Sequence, residues 1–227
     1  MTSKPFNISD ALTDEVFYQT EGVFYEPLFI FESKVSSLFR FYRVSQVVSA
    51  EFIAASHTSL AIEIAKKTQA ELIDLHFDVT HSDSEYFERF VFSSTLTQLF
   101  SAYEAFLLGL IELLRDKTGN DVPISKENVP LVNRYLKWMR DHGGCVILIS
   151  KEINTVFDVV RHVRNAFVHG DVVSFPEQMR SKVDALKGSA ASQGLSENQY
   201  FVLLGFRAVG ESAKQVELAF LEAMGSE

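Results

Sequence analysis

The most regular pattern of apolar and polar positions lies between Phe92 and Leu113. Phe92, Leu96, Leu99, Tyr103, Phe106, Leu110 and Leu113 recur there at alternating steps of four and three. Such steps put the apolar side chains on one face of an α-helix, so the pattern predicts an amphipathic helix that ends near Thr118-Gly119 and needs a partner. Its start is expected at Ser82-Asp83-Ser84-Glu85, which has the spacing of a capping box. Upstream, Phe29 to about Leu75 is rich in helix formers, but its apolar spacing is uneven. One long helix is expected there, or two with a break near Ser56-His57-Thr58-Ser59.

Downstream, a shorter helix from about Val129 to Arg140 is stopped by Gly143-Gly144. Ser150 is a candidate N-cap, with Glu152 in the first turn where a carboxylate suits the helix dipole. Ile153, Val156, Phe157, Val160, Val163 and Phe167 then share one face, and Gly170 is a fitting stop. Pro176 to Leu186 suggests a short helix, and Gly188 to Gly194 a flexible loop. Tyr200 to Leu204 suggests a short strand or buried extended piece, and Val209 to Met224 a last helix. Strands do not alternate with helices, which argues against a parallel nucleotide-binding sheet. The expected fold is all-α, a helical bundle over 82–227 with an N-terminal helical extension over 1–81, and at most a short strand near the C-terminus.

Composition narrows the function classes. With 227 residues, 47% of them hydrophobic and 22% charged, the chain can bury a sizeable core. Cys145 is the single cysteine, so one chain builds neither a disulfide framework nor a thiolate metal cluster. The first residues lack the pattern of a signal peptide, and the strongly apolar stretch Ala105 to Leu114 is short for a bilayer crossing. A soluble cytoplasmic protein with no membrane partner is expected. The net charge of −9 speaks against sequence-blind binding to long nucleic acid. From Lys151 to Lys187, however, six cations (Lys151, Arg161, Arg164, Arg180, Lys182, Lys187) face five anions (Glu152, Asp158, Asp171, Glu177, Asp184). A polyanion should meet the protein there.

That stretch contains Arg161-His162-Val163-Arg164-Asn165-Ala166-Phe167-Val168-His169-Gly170, where polar groups able to handle phosphate or protons interleave with core positions. At about 100° per residue, Asn165 and His169 share a face, whereas Arg164 and His169 diverge by roughly 140°. One helix brings Arg164 and His169 to one atom only if the arginine wraps round or the helix end distorts. Two copies packed about a twofold axis can surround one cleft with both residues from both chains. An arginine and a histidine at this spacing also occur by chance in helical proteins.

Arg164, Asn165 and His169, followed by Gly170 near the end of a helix, resemble the motif of the HEPN family, an arginine and a histidine separated by four to six positions. The earlier helix with Tyr103-Glu104-Ala105-Phe106-Leu107 is similar to that family's core helix, and the resemblance covers Ser82 onward. It implies a HEPN-like up-and-down bundle and a metal-independent endoribonuclease of toxin or phage-defence type. The composite Arg/His site would lie at a homodimer interface, with RNA as substrate, no cofactor or metal, and an antitoxin protein as a further partner. Arg164, Asn165 and His169 are the catalytic candidates. His169 would move protons near neutral pH, Arg164 would hold the phosphate, and Asn165 would orient His169 or bind the phosphate. Glu104 and His162 are supporting candidates, although Glu104 is also explained as a solvated or salt-bridged residue and His162 as a surface one. The alternative is a non-catalytic HEPN-like module that binds a protein or nucleotide ligand. In one subgroup of the family a tyrosine stands two places after the histidine and is modified by a partner enzyme. Asp171 occupies that place here, which puts such control in doubt.

Asp74, His76, Asp78, His81 and Asp83 form an acidic, histidine-bearing group that matches no common metal spacing. The chain has no glycine-rich phosphate loop, nucleophile elbow or paired-cysteine motif. The aromatic strip Phe24 to Phe31 suggests a capping segment over the bundle or, less readily, a partner-binding strip. The N-terminal helices are also candidates for a regulatory or antitoxin-binding surface.

Overall fold

The computed structural model describes residues 16–22, 25–64, 69–126, 129–169, 180–181, 183–184 and 196–225. Within them, only the backbone course is described at 52–53, 55–64, 69–89, 152, 166–169 and 197. The described elements are five packed helices with no strand among them: α1 (Glu26–Ile64), α2 (Gln69–Thr118), α3 (Leu131–Asp141), α4 (Lys151–His169) and α5 (Glu197–Gly225). α2 is the central element and packs against each of the other four, and α5 closes the far side against α1 and α4.

The length of α1 and α2 follows from composition. Between Pro27 and Gly109 no glycine or proline interrupts the chain, and helix propagation is cooperative once started. α2 therefore begins at Gln69 and runs through Ser82 to Glu85 without a stop. The expected helix start at Ser82 is corrected: Ser and Glu at that spacing are tolerated inside a helix, and nothing upstream breaks it. Nor does the backbone break at Ser56 to Ser59, where α1 is continuous as far as Ile64.

The core portion of α1 carries its own seam of buried residues, Leu28, Phe31, Val35, Phe39 and Tyr42, again at steps of three and four. Apolar neighbours on the other faces, Phe29, Ile30, Phe41 and Val44, stay exposed and hide the seam in the sequence. Phe31 stacks on Phe106 at 4.5 Å between ring centroids, and Tyr42 meets Phe92 at 6.1 Å, which fixes α1 and α2 as antiparallel. Gly109 makes room for the start of α1, since a Cβ there would come within 2.9 Å of the Pro27 ring. From Glu26 on, the aromatic strip is the first turns of α1, with Leu28 and Phe31 in the core shared with α2, while Phe24 lies outside the described residues.

The seam from Phe92 to Leu110 is buried as expected, while Leu113 is only partly so. Leu107, Ile111 and Leu114, on other faces of the same helix, are also fully buried, because α2 has partners on several sides rather than one. By length and hydropathy, Phe90–Thr118 reaches the range of a membrane-crossing helix, contrary to the sequence expectation. Here half of its most apolar window is buried against helices of the same chain, and Phe90 at its start is exposed.

At the other end, the short strand expected at Tyr200 to Leu204 is part of α5, which starts at Glu197 rather than near Val209. Ser196 caps it. The Ser196 hydroxyl accepts a hydrogen bond from the Gln199 amide, and the Gln199 side chain accepts one from the Ser196 amide, which is a capping box. Tyr200, Phe201 and Val202 are buried on consecutive positions, a run that mimics a buried strand in sequence. The helix expected over Pro176 to Leu186 lies mostly outside the described residues, and the loop from Gly188 to Gly194 lies wholly outside them.

Candidate functional site

α4 starts where the sequence suggested. The Ser150 hydroxyl accepts a hydrogen bond from the Ile153 amide at 3.2 Å, satisfying one of the free donors of the first turn. Val159, Val160 and Val163 are buried in the core shared with α2 and α5, and Ile153 is buried in the first turn. This anchorage turns the opposite side of the helix, with Asp158, Arg161, Arg164 and Asn165, toward the gap between α2 and α3.

α3 is held in place by its C-terminal half. Trp138 donates through Nε1 to the carbonyl of Val122 at 2.8 Å, and the Arg115 guanidinium lies 5.1 Å from the Trp138 ring centroid. The helix runs Leu131–Asp141 and ends where Gly143 and Gly144 were expected to stop it. Gly144 has a positive φ of 71°, and the amides of Gly143 and Cys145 both donate to the Met139 carbonyl.

Between α2, α3 and α4 lies a cleft of about 240 Å³. From α2 it takes Phe100 and Glu104; from α3 and its approach, Pro130, Leu131, Asn133 and Leu136; and from α4, Phe157, Arg161, Arg164 and Asn165. Three of the residues named from sequence, Arg164, Asn165 and Glu104, therefore line the same opening. His162 is half-exposed and does not line it.

Arg164 is tightly positioned. Its Nε and Nη2 both donate to the Asn165 side-chain oxygen, at 3.2 and 2.9 Å, and its guanidinium carbon lies 5.8 Å from the Phe100 ring centroid. Asn165 thus orients the arginine, and the aromatic face supports it. Arg161 pairs with Asp158 at 3.3 Å one turn earlier. Burial raises the Glu104 carboxyl above its ordinary value, while Arg164 and Arg134 pull it back. The hydroxyl of Tyr135 is raised by burial and by Glu104, with Arg134 opposing. Arg134 and Tyr135 were not singled out from sequence. On α3, where Val132, Tyr135, Trp138 and Met139 are buried, they read as one polar and one core position of an amphipathic helix, and only the packing brings them toward Glu104.

The α4 backbone continues as helix to His169, one turn beyond Asn165. The side chain of His169, like that of Phe167, is not described, and Gly170 and Asp171 lie outside the described residues. The same holds for the side chains of Asp74, His76, Asp78, His81 and Asp83, whose backbone belongs to α2 rather than to a loop before a helix cap. Among the described residues no group of three or more His, Cys, Asp or Glu is placed to hold a metal ion. Cys145 is buried and its thiol is pushed up to about 11 by desolvation, which leaves little thiolate for nucleophilic chemistry.

No family model, no curated protein and no solved structure matches this chain. Chemically, the cleft offers two guanidinium groups, one of them paired with Asp158, the half-buried carboxylate of Glu104, and apolar surface from two phenylalanine rings.

Proposed function

We propose that this chain is a metal-independent endoribonuclease of HEPN type, acting as a homodimer in toxin or phage-defence biology. The observation that carries the proposal is the position of Arg164 and Asn165 at the rim of the cleft, on a helix that continues one turn further to His169. In this reading the guanidinium of Arg164, held by Asn165, binds the scissile phosphate and stabilises the charge that builds on it. The imidazole of His169 takes the proton of the ribose 2′-hydroxyl as that oxygen attacks phosphorus. The bond from phosphorus to the 5′-oxygen breaks, and the imidazole of the second copy protonates the leaving oxygen. The products are a 2′,3′-cyclic phosphate and a 5′-hydroxyl. In this reading two copies share the site, because residues five apart on one helix diverge by roughly 140° unless the arginine wraps round.

The test is incubation of the purified protein with cellular RNA in chelator. Arg164→Ala and His169→Ala should each abolish cleavage, and cleavage untouched by both would overturn the proposal.

One observation favours a second reading, a non-catalytic helical module that binds a protein or nucleotide ligand. Arg164 is already engaged within the chain, by Asn165 and the Phe100 ring, as a structural arginine would be. On that reading Arg164→Ala lowers the melting temperature substantially, and RNA incubated with the wild type keeps its original ends.

A further inference from the structure

The cleft beside Arg164 combines two chemistries. Its inner wall is apolar: Phe100 and Phe157 stand with ring centroids 5.8 Å apart and planes at 69°, and Leu136 of α3 is a further lining residue. Its volume of about 240 Å³ gives room for one planar heterocycle and excludes a duplex. The carboxylate of Glu104 belongs to the same cleft, half-buried, with Arg164 of α4 and Arg134 and Tyr135 of α3 as the charged and titratable groups that face it. Arg161, paired with Asp158, and Arg164, held by Asn165, line the same cleft.

A carboxylate has two acceptor oxygens side by side, and it is best satisfied by two adjacent donors. Among the RNA bases only guanine presents such a pair, its N1–H and its 2-amino group. Adenine and cytosine offer an amine with no neighbouring N–H, and uracil flanks its single N–H with carbonyl oxygens that repel a carboxylate. Bases read in this way must be unstacked, which single-stranded RNA permits.

We propose that this cleft holds one unpaired guanine of the RNA, with Glu104 accepting from N1–H and the 2-amino group and with Arg161 and Arg164 at the phosphate. The inference rests on the endoribonuclease reading for its substrate and adds the base that sets the cleavage position. Burial opposes the charged form of Glu104 more than Arg164 and Arg134 favour it, and a pair of guanine donors adds to the support of that form. Binding of guanine therefore weakens as the pH falls into the range where Glu104 takes up a proton.

The experiment is calorimetric titration of the full chain, in chelator, with the four nucleoside 3′-monophosphates. Guanosine 3′-monophosphate should bind at least roughly tenfold more tightly than the other three, the scale of one good bidentate contact. Glu104→Gln should reduce that preference to about threefold or less, and Leu136→Trp, which fills the cleft, should weaken all four nucleotides. Equal affinities, no binding by the wild type, or a preference that survives Glu104→Gln would overturn the inference. A chain that binds the guanine nucleotide through Glu104 but leaves RNA intact retains the guanine cleft and loses the ribonuclease reading. A chain that cuts RNA without any base preference does the reverse.

Discussion

Glu104 is the residue at which stability and proposed function pull in opposite directions. Burial raises its carboxyl in the folded chain, more than Arg164 and Arg134 lower it, so the folded state holds the proton more tightly than the unfolded one. Ionisation of Glu104 therefore opposes folding near neutral pH, and the opposition disappears as the pH falls through the raised value toward the ordinary carboxylate range. Glu104→Gln is expected to melt above the wild type at neutral pH, with the gap closing as the pH approaches about 4. Thermal unfolding at several pH values checks this, and a gap that widens on acidification would show that the arginines dominate instead. Such a destabilising carboxylate is the pattern expected where function competes with stability. In the sequence Glu104 stood out only as a supporting candidate on the helix that resembles the family's core helix. Its neighbours Arg134 and Tyr135 come from a helix some thirty positions later, and no spacing rule links them to it.

At the scale of elements, caps and glycines decide where the helices begin and how they cross. Ser150 and the Gly143-Gly144 pair were legible because a cap or a positive φ demands particular residues there. Ser82 to Glu85 and Ser196 to Gln199 show the limit of such signals, since both have capping-box spacing and only the second starts a helix. The difference lies in what precedes them. An unbroken run of helix-compatible residues leads into Ser82, and a glycine at 194 stands just before Ser196. Removing the cap by Ser196→Ala should cost about 1 kcal/mol of stability in denaturant unfolding, and no measurable cost would mean the box is not formed.

Gly210 of α5 carries a sharper constraint. A Cβ there would come within 2.0 Å of the Phe17 carbonyl oxygen, in a segment that also packs the Phe17 ring on Phe39 and Phe206. Lys214 donates to the Gln19 carbonyl at 3.0 Å, and buried Glu217 accepts from the Glu21 amide at 2.8 Å, so residues 17–21 are strapped to α5. Gly210→Ala should displace the strap, with a loss on the order of 2 kcal/mol and faster proteolysis near Tyr18. An alanine variant as stable and as resistant as the wild type would contradict that close approach.

For the whole molecule, the all-α architecture was legible from the absence of strands alternating with helices and from the seam on α2. The central position of α2 was not, because a helix buried on several sides loses the contrast between faces on which periodicity depends. That same burial is why an apolar stretch long enough to cross a bilayer serves here as the middle of a bundle. The proposed site asks one more thing of the molecule, a twofold partner. Sedimentation should therefore show a dimer, and specific activity should fall on dilution below its dissociation constant. A monomer with full activity at every concentration would remove the need for two helix ends.

The decisive measurement is the chemistry of the RNA ends left by the purified protein in chelator. Wild-type protein should release fragments ending in a 2′,3′-cyclic phosphate, while His169→Ala, melting at the wild-type temperature, should release none. Fragments of the same kind and amount from His169→Ala, or intact RNA after incubation with a stable wild-type dimer, would contradict the assignment.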